Sequence, residues 1–404
     1  MRLEKLPTDF LVALPVLKKI HQAGFDAYFV GGSVRDALLN KPIHDIDIAT
    51  SAYPQEIKAV FPRTIDIGIE HGTVLVLTEK NEYEITTFRT ESTYQDFRRP
   101  DKVEFVRSLE EDLKRRDFTI NAFAINTLGD VIDLFDGLKD LKEKKIRAVG
   151  SAKERFHEDA LRMMRAARFA SQLDFKIEQD TLSAMKEHAH LLNKISVERV
   201  RVEFVKLMQG INRQKGLRAM IETESFLYLP GLLETDRFAL ERLASLPLNV
   251  LEDEGQIWAL TAYCLGLQVS QVEDFLRKWK ESNAVIKKAK NILSGFLHRL
   301  EKQWEPLNLY RFSEEEVVLA EEMRGFFGLD YSIEETQALH QNLPIYSKHD
   351  LLISGKDLLR AFNRKQGKWL GEVLNELEIQ VVRGEVRNDF SVLLDTAKEI
   401  LGEE

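Results

Sequence analysis

Asp45 and Asp47, one residue apart in the run His44-Asp45-Ile46-Asp47-Ile48-Ala49-Thr50, are the side chains of this sequence best suited to hold a metal ion. If the run is an extended strand, successive side chains alternate between faces, so the two aspartates share one face and Ile46 and Ile48 anchor the other in the core. Two carboxylates held side by side repel each other unless a divalent cation lies between them. Hard oxygen ligands select Mg²⁺, which takes one or two carboxylates and completes its shell with water and substrate phosphate oxygens. The pattern therefore predicts a Mg²⁺ site facing a phosphorylated substrate; Glu84 and Asp117 are equal candidates for a third carboxylate beside it.

Upstream of this run, Gly31-Gly32-Ser33 follows a short apolar strand, Ala27 to Val30, and precedes a helical stretch beginning near Val34. Glycines let the backbone approach a ligand closely, and free amides at a helix start attract anions, so a triphosphate fits beside Gly32. Arg35 adds a fork of donors to the same phosphates. The same strand, Gly-Gly and helix also describes an ordinary tight turn. A second cluster is Glu158-Asp159-Ala160-Leu161-Arg162, continued by Arg165 and Arg168. Three residues apart on a helix, Asp159 and Arg162 lie on one face, where an exposed ion pair is worth only about 0.2–0.5 kcal/mol. Each further step of three turns about 60° around the helix, and on spacing alone Arg165 and Arg168 are surface arginines.

The elements that must position these groups fall into two regions. Up to about residue 149 the sequence is mixed α/β: a helix over Leu11 to Gln22 closed by Gly24, then strands over Ala27–Val30, Thr73–Thr78, Tyr83–Phe88, Val103–Val106, Ala122–Asn126 and Val131–Leu134. From about Glu154 onward strand signals fade and apolar residues recur with helical spacing, as at Val197, Val200, Phe204 and Leu207. Ser196 is the expected N-cap of that last helix, with Arg199 and Glu203 four apart along it as structural support. For Asp117, pairing with Arg115 or capping the helix that begins near Thr119 competes with a catalytic role.

Gly31-Gly-Ser-Val-Arg-Asp36 followed by Asp45-Ile-Asp47 resembles the nucleotidyltransferase superfamily that includes DNA polymerase beta, and within it the class II tRNA nucleotidyltransferase and bacterial poly(A) polymerase branch. The resemblance continues through Arg115-Arg-Asp-Phe-Thr-Ile-Asn-Ala122, Asp133-Leu-Phe-Asp-Gly137 with Asp140, and Arg155-Phe-His-Glu-Asp-Ala-Leu-Arg162, covering roughly the first 210 residues. It implies a polymerase-beta-type α/β (α+β) head followed by an extended all-α body and tail, divided here as head 1–149, neck 150–210, body 211–300 and tail 301–404. The implied activity is template-independent addition of C, C and A to the 3′ end of tRNA from CTP and ATP. In it the tRNA 3′-hydroxyl attacks the α-phosphate, Mg²⁺ sits on Asp45 and Asp47, and Arg116, Arg165 and Arg168 bind the nucleotide. Asp159 and Arg162 then read the base. Cytosine and adenine both present an amino donor beside a ring-nitrogen acceptor, matching a carboxylate beside a guanidinium, whereas uracil and guanine reverse that polarity. A poly(A) polymerase, a partial CC- or A-adding enzyme, and a non-catalytic RNA-binding protein are the alternatives.

The polar segment Thr87 to Pro100 is a long loop of the kind that family members adding the terminal A carry. Ile353-Ser-Gly-Lys-Asp-Leu358 and Gly371-Glu-Val-Leu374 resemble the tail of the bacterial enzymes without a His-Asp phosphohydrolase domain, implying contact with the tRNA elbow. The net charge of −9 lacks the basic signature of a nucleic-acid binder. Local clusters at Arg162 to Arg168, Arg277 to Lys290 and Arg364 to Lys368 qualify it. His157 has no second histidine at ligand spacing, and Cys264, the only cysteine, lies in an apolar run that reads as core packing. With no signal peptide and no run near the roughly 18 apolar residues of a membrane span, a cytoplasmic location is expected. Oligomeric state stays open between monomer and homodimer.

Overall fold

The computed structural model describes residues 1–91, 103–233 and 237–402, which form two compact units, Met1–Val250 with Lys278–Lys280, and Leu251–Arg277 with Glu281–Glu404. The first unit opens with α1 (Thr8–Gln22), β1 (Ala27–Val30), α2 (Gly32–Leu38), β2 (Asp47–Thr50), α3 (Pro54–Val60), β3 (Thr64–Gly68), β4 (Thr73–Leu77) and β5 (Glu82–Thr87). After β6 (Arg89–Glu91) and β7 (Val103–Phe105) come α4 (Leu109–Lys114), β8 (Phe123–Ile125), β9 (Val131–Asp133), α5 (Gly137–Lys142), β10 (Lys145–Ile146), α6 (Ala152–Glu158), α7 (Leu161–Leu173), β11 (Lys176–Ile177), α8 (Gln179–His188) and α9 (Val197–Met208).

Among the described residues a mixed sheet runs β3-β4-β5-β2-β1-β8-β9, with β2 and β5 parallel and the other neighbours antiparallel. Val30 and Ala49 of the inner strands pack with Phe88, Leu113 and Ala124, and α1 covers the sheet through Phe10 stacked on Phe29 at 4.4 Å. The central strands carry near-continuous apolar runs because both faces are covered. This is the polymerase-beta-type head expected from the motifs.

Two departures concern position rather than type. The strand carrying the acidic pair starts at Asp47, so Asp45 and Ile46 precede it, and only Ile48 of the two isoleucines is fully buried. β3 has no counterpart among the sequence-predicted strands, although Ile65 and Ile67 alternate with Asp66; at this sheet edge the two isoleucines are exposed rather than part of the core. Of the Thr87–Pro100 loop, residues up to Glu91 are described, and β6 pairs there with β7; residues 92–102 lie outside the described residues.

Past residue 150 the described residues of the first unit carry helices and one short strand, β11, which pairs in parallel with β10. Gly216 lets the helix Arg213–Glu222 lie against α7, since a Cβ there would stand 2.6 Å from the Ala167 carbonyl oxygen. The second unit is helical throughout its described residues. Its buried node is Glu321, which accepts hydrogen bonds from Arg299 and from Trp304 Nε1. Cys264 packs in this unit's core. Among the described residues no helix is long and apolar enough to cross a membrane.

Candidate active site

Asp47 is where two hollows of the first unit meet. One, of about 650 Å³, is lined by Asp45, Asp47 and Glu84 with both polar and apolar neighbours; the other, of about 460 Å³, by Gly31, Gly32, Asp47, Arg116, Asp159, Arg162 and the arginines of α7. The parallel register of β2 and β5 sets Asp47 directly beside Glu84. Loss of hydration raises the Asp47 carboxyl above its usual value; Arg116 offsets part of that rise, and the neighbouring charges of Glu84 and Asp45 add to it.

At the head of α2, Gly31 has φ +73° and ψ −139°, backbone open to glycine alone. A Cβ there would also stand 3.1 Å from Arg116 Nη1 and 3.2 Å from Asp47 Oδ2. Arg35 is held by its neighbour Asp36 and donates from Nη1 to Asn121 Oδ1 at 2.7 Å, so its fork lines the hollow from a fixed position. Arg116 is anchored through Nη2 to the buried Asp112 at 3.0 Å, and Arg115 binds the same carboxylate at 2.8 Å. Burial alone would raise the Asp112 carboxyl; Arg116 and Arg115 bring it below its ordinary value.

Asp117 pairs neither of the ways its spacing suggests. Its carboxylate accepts from Arg165 Nε at 2.7 Å, from Asn121 Nδ2 at 3.0 Å and from the Phe118 amide at 2.8 Å. Burial opposes its ionisation, yet Arg165 and Asn121 hold the carboxyl far below the carboxylate range. Asp117 is thus engaged on the arginine wall, while Glu84 stands on the acidic side.

The second cluster is not a face of one helix. α6 ends at Glu158, Asp159 is extended (φ −140°, ψ 103°), and α7 starts at Leu161. Asp159 Oδ1 accepts the Leu161 amide at 3.0 Å and Oδ2 accepts Arg199 Nη2 of α9 at 2.7 Å. Arg162, nearly buried, donates from Nη1 to Glu158 at 2.7 Å and from Nη2 to the Arg115 carbonyl at 2.8 Å. Both groups line the arginine hollow, each oriented by its own set of partners. Ser196 occupies the N-cap position of α9 without a side-chain cap, and Arg199 and Glu203, read as an i, i+4 pair, diverge: Arg199 goes to Asp159, while Glu203 approaches Arg168 at 2.7 Å and Arg165 at 3.8 Å. Burial takes the Arg168 guanidinium down to about 10, the loss being only partly restored by Glu203. Arg199, Glu203, Asn121, Asp112 and Phe169 have no place among the site residues predicted from sequence. Arg199, Glu203 and Asn121 reach Asp159, Arg168 and Arg35 from other elements, which spacing cannot show, whereas Asp112, three and four residues before Arg115 and Arg116, and Phe169, four after Arg165, were within reach of helical spacing.

The described head matches the Poly A polymerase head domain over residues 27–147; residues 174–235 match the probable RNA and SrmB-binding site of polymerase A, and 250–397 the putative tRNA nucleotidyltransferase domain 2. A CCA-adding enzyme of Enterococcus faecalis is 55% identical over 99% of this chain and 98% of its own length. The chain belongs to the CCA-adding enzymes. One from Ligilactobacillus salivarius is 50% identical over the full length of both proteins. In fold, this member superposes on the Bacillus stearothermophilus CCA-adding enzyme in complex with CTP with a TM-score of 0.90, at 40% identity and 98% coverage of each chain. Both the nucleotidyltransferase activity and the head-plus-helices architecture inferred from the motifs therefore hold.

Proposed function

We propose that the Asp47 junction is the catalytic centre for adding C, C and A to tRNA 3′ ends, with CTP and ATP as substrates and the tRNA 3′-hydroxyl as the attacking group. The observation that carries this reading is the adjacency of a carboxylate cluster and an arginine wall across one aspartate. Among the described residues no three His, Cys, Asp or Glu side chains form a closed metal-ligand set. An open acidic pair suits Mg²⁺ nonetheless, because this ion keeps water and takes phosphate oxygens. Asp47 stands in register beside Glu84 with Asp45 lining the same hollow, a gathering of carboxylates whose mutual repulsion a cation would relieve.

Asp45 and Asp47 would hold Mg²⁺, with Glu84 rather than Asp117 as the nearby third carboxylate. When bound, the ion lowers the pKa of the attacking hydroxyl and neutralises charge on the transferring phosphate. The chain's own groups do the positioning. Gly31 and Gly32 admit the triphosphate, and Arg35, Arg116, Arg165 and Arg168 bind it. Asp159 accepts the amino proton of cytosine or adenine while Arg162 donates to the adjacent ring nitrogen. Arg199 and Glu158 keep both in that pose, so a uracil or guanine edge meets mispaired donors and acceptors. Head 1–149 carries the chemistry in this division, 150–210 the base reading, and 211–300 and 301–404 the hold on tRNA, in the cytoplasm.

Incorporation assays test it directly. Full-length protein is given tRNA ending at the discriminator base, at C or at CC, with each nucleotide alone. The expected pattern is C, then C, then A. Extended A runs would convert the reading to a poly(A) polymerase, and a single type of addition to a partial enzyme.

A further inference from the structure

Three guanidinium groups of the arginine hollow converge on one aromatic ring. The Phe169 ring centroid lies 4.3 Å from the Arg168 guanidinium, 5.1 Å from that of Arg35 and 5.3 Å from that of Arg165. Phe169 is nearly buried on α7, lines the hollow with the three arginines, and meets Phe118 edge-on at 5.9 Å and 87°. Like charges so close repel one another. Carboxylates and Asn121 answer two of them well: Arg165 has Asp117, and Arg35 has Asp36 and Asn121. Arg168 is served least, since its Nε stands 2.7 Å from Glu203 Oε2 yet neither atom makes an aligned hydrogen bond. It is also the arginine nearest the ring.

We propose that Phe169 is a positioning residue for nucleotide binding, its ring face gathering Arg35, Arg165 and Arg168 into one triphosphate clamp. The inference rests on reading the hollow as the triphosphate site. An aromatic face is negative and attracts a cation without neutralising it, unlike a carboxylate, which would compete with phosphate for the same donors. A ring therefore draws three cations together without taking any N–H donor itself, so the donors not already on Asp36, Asn121 or Asp117 can turn toward an anion. Such a clamp acts on phosphate and not on the base, so its loss weakens CTP and ATP alike and leaves discrimination against UTP and GTP in place.

The test replaces Phe169 in the full-length protein by 4-fluoro-, 3,5-difluoro- and pentafluorophenylalanine, which drain the ring face stepwise at nearly constant shape. Calorimetry then measures binding of CTP and of inorganic tripolyphosphate. Both affinities are expected to fall stepwise, reaching about tenfold for the pentafluoro ring, the size that loss of several partly buried cation–ring contacts allows. Phe169→Tyr should bind within about twofold of the parent, and KM should rise along the fluoro series with kcat little changed. A flat fluoro series, even with Phe169→Met impaired, would mean simple packing and overturns the inference alone. Failure of tripolyphosphate to compete with CTP on the unsubstituted protein removes the triphosphate reading itself, and the clamp with it.

Discussion

Arg199 Nη2 stands 2.7 Å from Asp159 Oδ2 and so ties α9 to the residue at which α6 stops and α7 starts. Asp159 spends its other oxygen on the Leu161 amide, so Arg199 fixes the rotation of a carboxylate that lines the cleft. Arg199→Ala should leave folding intact and loosen that acceptor. Hydrogen bonds to charged groups are worth about 1.5–3 kcal/mol. The CTP-over-UTP preference in single-addition kinetics is therefore expected to fall about tenfold or more, with far less effect on the rate with saturating CTP. Unchanged preference would show that Asp159 needs no such brace.

The register of Asp47 with Glu84 separates the two candidates for a third carboxylate. Glu84→Gln should lower incorporation by about two orders of magnitude, the scale for removing one group that stabilises transition-state charge, and should raise the Mg²⁺ concentration needed for half-maximal rate. Asp117→Asn should leave that Mg²⁺ requirement unmoved. A Mg²⁺ titration of both variants decides between them, and the reverse pattern would place the third ligand at Asp117.

Asp117 has a stability signature of its own. Its folded-state pKa is depressed, with burial opposing and Arg165 and Asn121 driving the shift, so its contribution is fully present above the ordinary carboxylate pKa and is lost as pH falls through that value toward the folded one. Breaking a buried pair by removing one charge costs about 3–5 kcal/mol. Denaturant unfolding should find Asp117→Asn less stable by about that much from pH 5 to 8, the gap closing below about pH 4. A gap independent of pH would mean that Asp117 matters for its shape and not for its charge.

Gly31 is held by two constraints at once, its backbone angles and the side chains ahead of it. Gly31→Ala carries about 1–3 kcal/mol of backbone strain and sets its methyl against Arg116 and Asp47. Nucleotide incorporation is expected to fall about a hundredfold, while thermal unfolding shifts by only a few degrees and tRNA binding persists. Retained activity would show that Arg116 and Asp47 yield at no cost.

By itself, the order of short motifs determined the family and the head-then-helices plan, since each motif packs its signal into a few adjacent residues. β1 falls at Ala27–Val30, as its apolar run predicts, because a buried strand bounded by turns depends on local composition. Tertiary structure alone decided who holds whom. Asp159 and Arg162 look like partners three residues apart until the break between α6 and α7 turns Asp159 toward Arg199 and Arg162 toward Glu158. Glu84 is set beside Asp47 by the parallel pairing of β2 with β5, a long-range register that no spacing reveals. Phe169, an ordinary core aromatic in the sequence, gains its three cations from two separate helices. Periodicity predicts which face a side chain takes; its charge partner depends on which element the fold packs against that face.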